Sequence, residues 1–242
     1  MTFGVVANIT DSFNFSIDYW SIDVTEAIGT VGASTIVRQC AETGMDVYCG
    51  LIHRSPAGDL WTGDSYVENT LINLGEASWE GIDLTVEYTT EIGPGVLDVR
   101  LVGTKMLDKT TVPIPSIPDT REECLGIISE DCFPTPEWRH NLSASYMIGD
   151  FTGTVRWRHI GAISYKDGLD VLIGDEIGDQ NYVDFVGAYV LNKNVSFMLG
   201  INNIADKEPP LMGGSVSING NTVAGFYDTL GRLIFANVTF SL

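Results

Sequence analysis

The sequence predicts an all-β fold in which antiparallel strands form a segment of a transmembrane β-barrel. Apolar and polar residues alternate along about nine stretches, as they do in strands with two unlike faces. The connections between these stretches are alternately short and long. The last stretch, Gly231–Leu242, ends the chain on the alternating pattern itself, without a polar tail. Membrane barrels combine these three features because their strands turn one apolar face to lipid.

The composition agrees with a turn-rich β protein and excludes other classes. The 242 residues include 26 Gly and 9 Pro, and β-branched and aromatic residues are common. Although 44% of the residues are hydrophobic, no apolar run approaches the roughly 18 residues of a membrane-spanning helix. The net charge of −19 argues against binding to nucleic acid, whose phosphates require Lys and Arg. Solvated loops are expected to carry this acidity; a surface that attracts cations or binds sugars is the alternative.

The nine predicted strands are distributed along the whole chain. Their ranges are Thr2–Ile9, Phe13–Ile28, Ser78–Thr90, Val96–Leu107, Glu137–Ile148, Phe151–Ala162, Tyr182–Leu191, Val195–Ile204 and Gly231–Leu242. The clearest alternation runs from Ile82 to Thr89, where each apolar residue is followed by a polar one. The alternation slips at Trp20, which indicates a bulge or an exit from the membrane.

Short turns and long loops alternate between the strands. The turns are Thr10–Ser12, Glu91–Gly95, Gly149–Asp150 and Asn192–Asn194. The loops are Gly29–Gly75, expected to be irregular with a small hairpin around Ser55–Gly58, then Asp108–Pro136, Ile163–Gln180 and Ala205–Thr229. A membrane barrel has tight periplasmic turns at one rim and extended extracellular loops at the other. A soluble sandwich or propeller has no reason to segregate loop lengths in this way.

The four cysteines occur as two close pairs, both in long loops. Cys40 with Cys49 and Cys124 with Cys132 would each close a short disulfide loop on the extracellular, oxidising side. A zinc site is the alternative, although neither spacing matches a standard Cys-x-x-Cys ligand pair. The start of the chain, MTFGVVANIT, has no basic region, apolar core or cleavage site of a signal peptide. The expectation is therefore that the amino-terminal part of an exported protein is missing.

Aromatic residues on the apolar side cluster near the short turns and the end of the chain. They are Phe15, Tyr88, Tyr146, Phe151, Tyr189, Phe197 and Phe240. Their common height predicts an aromatic girdle at a membrane interface. Strand propensity alone, the alternative explanation, would scatter aromatic residues along the strands.

The opposite side of the strands carries charges, which are tolerable only beside water or a polar plug. These residues are Asp83, Glu87, Asp98, Arg100, Arg139, Arg156, Arg158 and Asp184. Bacterial single-chain barrels have even strand numbers, and unpaired strand edges cannot face lipid. Nine strands therefore predict the carboxy-terminal part of a larger barrel.

Leu199–Pro210 reads LGINNIADKEPP, and Phe226–Arg232 reads FYDTLGR. These two segments, together with Cys40–Leu60 and Ile72–Tyr88, resemble segments of the TonB-dependent outer-membrane receptors. The residues that match the family motifs are Asn202, Asn203, Asp206, Pro209, Tyr227, Asp228, Gly231 and Arg232. The chain departs from the family in ending on Leu242, where members often end in phenylalanine, but Phe240 and Leu242 keep the outward phase.

The resemblance implies a barrel of about 22 strands whose lumen is filled by an amino-terminal plug. It implies a receptor in the outer membrane of a Gram-negative bacterium that imports a scarce siderophore, cobalamin or carbohydrate, without a cofactor. The expected partners are membrane lipid, the missing strands and plug, the extracellular ligand, and TonB through the plug. Because the plug and the TonB box lie in the missing part, this segment alone is not expected to be an energised transporter.

Two other functions remain as alternatives. A complete small porin or adhesin barrel is the first, and an outer-membrane enzyme the second. His140 and Ser143 are the obvious residues for a hydrolase, but their odd spacing places them on opposite faces of a regular strand. His53 and His159 stand alone and are expected to be loop or interface residues.

The remaining candidate sites are explained more simply as solvated loops or turns than as binding sites. The acidic positions of the third long loop are Asp167, Asp170, Asp175, Glu176 and Asp179. They could hold calcium, but without EF-hand spacing a solvated loop is favoured. Gly93–Gly95 is a turn and not a phosphate-binding loop. Loop aromatics such as Trp61 and Tyr66 are candidates for ligand contact, with nothing in the sequence to choose among them.

Overall fold

A computed structural model describes residues 1–112, 121–129, 132–166, 176–213 and 221–241. Its strands are β1 (Thr2–Thr10), β2 (Phe13–Gly29), β3 (Ile52–His53), β4 (Tyr66–Val67), β5 (Ile72–Ile92), β6 (Gly95–Val112), β7 (Glu122–Glu123), β8 (Ile127–Ile128), β9 (Trp138–Ile148), β10 (Phe151–Ile160), β11 (Ile163–Tyr165), β12 (Glu176–Ile177), β13 (Gln180–Asn192), β14 (Val195–Asn202) and β15 (Leu233–Phe240). Its helices are α1 (Ala33–Thr43) and α2 (Asp46–Cys49). Neither helix is long and apolar enough to cross a membrane.

The nine long strands form one sheet in which neighbours in the chain are neighbours in space. Their order is β1-β2-β5-β6-β9-β10-β13-β14-β15, with the short β7 added beside β6. The predicted all-β, antiparallel class is confirmed, and so are the nine strands. Among the described residues the sheet is open, since β1 and β15 each pair with one strand.

Two strands are longer than the sequence predicted. β5 begins at Ile72 instead of Ser78, and β6 ends at Val112 instead of Leu107. The start of β5 was missed because Gly75 and Ala77 interrupt the hydrophobic alternation there. The end of β6 extends because Thr110 and Thr111 pair with β7.

The register of the sheet gives it an apolar face and a polar face. Leu101 lies opposite Leu142, Val155 opposite Phe185, and Leu199 opposite Ala236. Because directly opposite residues point to the same side, these pairs extend one apolar face from β6 to β15. The polar face carries the alternate positions, such as Arg156 opposite Asp184. The predicted alternation is therefore confirmed across these strands.

The chain divides into two compact units, and each buries its own core. The first consists of Met1–Ile22, Trp79–Lys109 and Cys124–Leu242, and the second of Asp23–Ser78 and Thr110–Glu123. In the first unit the buried cluster comes from connections between the long strands. Its members are Ile128, Ile163, Tyr165, Ile177, Met212 and Tyr227. The core therefore lies among the loops, and the apolar face of the sheet is not part of it.

The second unit contains structure that the sequence did not predict. The stretch 29–75 was expected to be irregular, but it contains α1, α2 and the hairpin of β3 and β4. Ile36 and Tyr48 are buried together. The helix α1 lacks a side-chain N-cap and buries only Ile36, but its apolar residues Ala33, Ile36, Val37, Cys40 and Ala41 recur at helical spacing, a signal that the prediction overlooked. The predicted small hairpin is confirmed, with a turn in which the Gly58 N–H donates to the Ser55 carbonyl at 2.8 Å.

Candidate functional site

A buried carboxylate organises the polar face. Asp184 is only 1% exposed. Its Oδ2 accepts hydrogen bonds from Arg156 Nε at 2.9 Å and Arg158 Nε at 2.8 Å. Its Oδ1 accepts from Arg158 Nη2 at 3.0 Å and from the backbone N–H of Asn203 at 2.8 Å. The strands set this geometry, because Arg156 lies opposite Asp184 and Arg158 is two residues further on the same face.

A second carboxylate completes this arrangement. Asp228 accepts two hydrogen bonds from Arg158, at 2.8 Å from Nη1 and 2.5 Å from Nη2. This fork-like pairing is the strongest geometry available to a guanidinium. The same guanidinium lies 4.9 Å from the ring centre of Tyr182. We call Arg156, Arg158, Asp184 and Asp228 the arginine–carboxylate network. It joins β10 and β13 to the segment that leads into β15.

The network borders a polar cavity of about 310 Å³. Arg156, Arg158, Asn202, Tyr227 and Asp228 are among the residues that line it. A second cavity of about 410 Å³ at the ends of the strands is lined by Thr104, Arg139 and Asn141, and also by His140 and His159. Arginine and amide side chains of this kind can hold water or a polar surface. Within the described residues, no three His, Cys, Asp or Glu side chains are grouped as metal ligands.

A second set of contacts fixes the connection between β14 and β15. The Asn203 amide accepts from the Lys207 N–H at 2.9 Å and donates to the Lys207 carbonyl at 2.8 Å. Asp206 accepts from the backbone N–H of Arg232 at 2.7 Å and from its Nη2 at 3.2 Å. Asn203 and Asp206 have positive φ, at 52° and 54°, a conformation that Asn and Asp tolerate best among residues with a side chain. At Gly231 a Cβ atom would lie 2.8 Å from Asp206 Oδ1, so the close approach requires glycine.

Asp206 makes the stability of this connection sensitive to acid. Its hydrogen bonds with the Arg232 backbone N–H and guanidinium lower the pKa of its carboxyl. A lowered pKa stabilises the folded state above the ordinary value, and this stabilisation is lost as the pH falls through the folded-state pKa. We expect Asp206→Asn to remove that part of the pH dependence, which lies below the ordinary carboxyl pKa of about 3.9. Urea unfolding midpoints across this range measure it, and an unchanged slope in the variant would contradict the role of Asp206.

The long strands, their two unlike faces and the short hairpins have counterparts in known proteins. A family model described as "TonB dependent receptor-like, beta-barrel" matches residues 2–204. The chain belongs to this family.

Solved structures of receptors agree with the fold of this family. A point mutant of the ferric enterobactin receptor of Pseudomonas aeruginosa matches with a TM-score of 0.61 and 17% identity, over 100% of this chain and 30% of that chain. The siderophore receptor PirA of Acinetobacter baumannii matches with a TM-score of 0.59 and 15% identity, over 100% and 31% of the two chains. This chain therefore spans about a third of the length of these receptors. No curated protein sequence matches it.

Most residues that carry the family motifs meet around the two contact sets. Asn203 contacts the buried Asp184, and Asp228 contacts Arg158. Asp206, Gly231 and Arg232 meet at the start of β15. Asn202 and Tyr227 line the 310 Å³ cavity. Pro209 lies half-buried in the following connection and takes no part in these bonds. The partners Arg158 and Asp184 were recognised from the sequence only as inward charges. Both residues lie on the same face of neighbouring strands, and this shared face is the signal from which their ion pair could have been predicted.

The predicted girdle residues lie beside the short turns. Phe151 is opposite Tyr189, and Tyr189 is opposite Phe197. The Tyr146 hydroxyl donates to the Ile92 carbonyl at 2.8 Å, across the base of two hairpins. Phe240 is 73% exposed at the end of β15. That these aromatics contact a membrane interface stays a prediction.

The candidate catalytic residues have structural partners. His140 and Ser143 lie on opposite faces, since His140 pairs with Gly103 and Ser143 with Arg100. His140 Nδ1 accepts from the indole of Trp138 at 2.9 Å. His53 stacks on Tyr66 with ring centres 4.3 Å apart. The proteins of this family are transport receptors, not enzymes.

The structure describes both cysteine pairs and part of the acidic loop. Both pairs are disulfides, with S–S distances of 2.06 Å for Cys40–Cys49 and 1.97 Å for Cys124–Cys132. Asp179 accepts from the Ala162 N–H at 2.8 Å. The predicted positions Asp167, Asp170, Asp175 and Leu242 lie outside the described residues.

Proposed function

We propose that the chain is the carboxy-terminal part of the barrel of an outer-membrane receptor, which imports a scarce ligand with energy transmitted by TonB. The observation that carries the proposal is the uncovered apolar face of the sheet. Val155, Phe185 and Leu199 lie on it and are 46%, 38% and 57% exposed. Water-soluble monomers rarely expose apolar patches of this extent. Lipid is the partner that such a face fits when the other face is polar.

The polar face supports the rest of the proposal. Arg156, Arg158 and Asp184 would face a lumen that contains water or protein, where charged side chains are tolerated. Strands that pair with the free edges of β1 and β15 would close the barrel, because open edges are not stable in lipid. We propose that these strands and a plug precede this segment in a longer chain, and that TonB acts through the plug.

The ligand is proposed to be a siderophore, cobalamin or carbohydrate that is captured by the long loops. Two of the solved structures that resemble the chain are named as receptors for ferric enterobactin and for a siderophore. In the second unit, Trp61 is 85% exposed. Its loop is held by Asp59, which accepts from the N–H groups of Trp61 at 3.3 Å and Thr62 at 3.0 Å. An exposed indole on a backbone held in this way suits stacking on a planar or ring-shaped ligand.

Uptake by the full-length protein tests the proposal. The gene is expressed in a Gram-negative host that lacks its own receptors, and uptake of labelled ferric siderophores, cobalamin and oligosaccharides is measured with and without TonB. We expect uptake of one ligand class that disappears when TonB is deleted. Uptake of none of the three classes would count against the receptor assignment.

The small-barrel alternative makes a different prediction for the 242 residues alone. A complete porin or adhesin barrel would give a stable, heat-modifiable monomer, and a porin would also conduct ions in a planar bilayer. We expect the isolated segment to give neither result.

A further inference from the structure

An ordered polar cluster interrupts the apolar face at the end away from the short turns. Trp138 and His140 begin β9, Trp157 and His159 end β10, and Asn181 lies at the start of β13. His159 is directly opposite both His140 and Asn181. We call these five residues the Trp–His cluster. It lies at the opposite end of the strands from the predicted girdle.

Both indole N–H groups of the cluster donate hydrogen bonds to other residues of the protein. Trp138 Nε1 donates to His140 Nδ1 at 2.9 Å. Trp157 Nε1 donates to Asn181 Oδ1 at 2.8 Å. Tryptophans at a membrane interface ordinarily keep this donor for water and headgroups. Here the polar atoms left for an external partner belong to the imidazoles.

The internal bonds also assign the protons of the two imidazoles. His140 Nδ1 accepts the Trp138 bond, so the proton of its neutral ring is on Nε2. His159 Nδ1 lies 2.9 Å from Asn181 Oδ1, an acceptor, so this nitrogen carries the proton and Nε2 is an acceptor. The rings stack with centres 5.0 Å apart and planes 20° apart. One donor and one acceptor are thus presented side by side.

Gly103 leaves room for the Trp138 indole, and Lys105 adds a cation beside the cluster. Gly103 lies opposite His140, and a Cβ atom there would come within 2.4 Å of the Trp138 ring, so the indole lies directly over the glycine. Lys105 is opposite Trp138 on the same face, and its ammonium is paired with Glu137 at 2.5 Å. Two of the three ammonium hydrogens remain for another acceptor.

We propose that the Trp–His cluster and Lys105 bind the phosphate-bearing headgroup of a membrane lipid. His140 Nε2 and the Lys105 ammonium donate to phosphate oxygens, and His159 Nε2 accepts from a hydroxyl of the same headgroup. Charge-assisted bonds to phosphate are among the stronger hydrogen bonds. The aromatic rings and the apolar face beside them contact the acyl chains. This inference rests on the proposed function, since it requires the apolar face to meet lipid.

Lipid retention by the full-length protein tests the inference. The protein is purified in mild detergent and titrated with lipid A, with its dephosphorylated form and with a neutral glycolipid, and bound lipid is counted by native mass spectrometry. We expect wild-type protein to prefer lipid A. The double variant His140→Gln with His159→Gln, and separately Lys105→Gln, should each lose about tenfold or more in affinity, equivalent to about 1.4 kcal/mol.

A control at the other end of the strands isolates the effect. Tyr189→Gln replaces an exposed apolar-face aromatic and should leave lipid A affinity unchanged. Equal affinity for phosphorylated and dephosphorylated lipid, or wild-type affinity in the histidine and lysine variants, would overturn the inference. Membrane fractionation of the same proteins separates the two proposals. Variants that fractionate with the outer membrane but bind lipid A normally contradict only the headgroup site, whereas wild-type protein absent from that membrane contradicts the proposed function.

Discussion

Replacement of Asp184 by alanine is expected to destabilise the folded segment by about 1–3 kcal/mol, the cost of leaving a buried donor without its acceptor. The carboxylate is 1% exposed and accepts four hydrogen bonds from Arg156, Arg158 and Asn203. Its loss leaves Arg156 without its carboxylate and the Asn203 N–H without an acceptor. Arg158 keeps Asp228, so the guanidinium that joins the strands to the segment before β15 retains one partner.

Urea unfolding of the full-length protein in detergent measures this effect, with the heat-modifiable folded form on gels as a second readout. Glu87→Gln is the matched control. Glu87 pairs with Arg100 at 3.2 Å, but the two side chains are 44% and 56% exposed. Exposed pairs contribute about 0–1 kcal/mol, so the control should unfold almost as wild-type does. Equal effects of the two substitutions would show that the network is not the organising contact of the polar face.

An arginine in the middle of the apolar face is expected to prevent stable insertion. Val155 is central in β10 and faces Ala144 and Phe185 on the neighbouring strands. At the bilayer midplane of a barrel, arginine costs about 2–4 kcal/mol. Val155→Arg should therefore reduce outer-membrane levels of the full-length protein and lower its unfolding free energy by that amount.

The neighbouring position provides the control for this substitution. Thr154 lies on the polar face, where its hydroxyl is 2.9 Å from that of Ser145. Thr154→Arg keeps the charge and the depth but places it in the proposed lumen, so we expect a loss of about 1 kcal/mol from the broken hydrogen bond. A larger loss of unfolding free energy for Thr154→Arg than for Val155→Arg would reverse the assignment of the two faces. Polar residues at both Val238 and Phe240 should likewise impair insertion, because these residues end the apolar face.

The strands could be predicted from the sequence because their signal is local. Each long strand repeats one alternation of period two, and Gly149–Asp150 or Asn192–Asn194 marks where the chain reverses. The faces followed from the same pattern. Strand ends were missed where small residues such as Gly75 interrupt the alternation.

The contacts between distant segments could not be predicted in the same way. Arg158 and Asp228 are 70 residues apart. Their pairing depends on the path of a loop, which no local sequence pattern predicts. The motif residues Asp206 and Arg232 were recognised by resemblance, but their bond depends on the positive φ of Asp206. The helix α1 could have been found from the helical spacing of its apolar residues, but the buried cluster that holds it depends on contacts between distant segments.

The orientation of the two faces toward lipid and water is the central claim, and spin-label accessibility along β10 tests it most directly. Single labels from Thr152 to Arg158 are placed in full-length protein reconstituted into vesicles, and their exposure to oxygen and to a water-soluble nickel complex is compared. We predict a period of two, with oxygen exposure highest at Val155 and nickel exposure highest at Thr154 and Arg156. High nickel exposure at Val155 would show that the apolar face meets water and would contradict the membrane assignment.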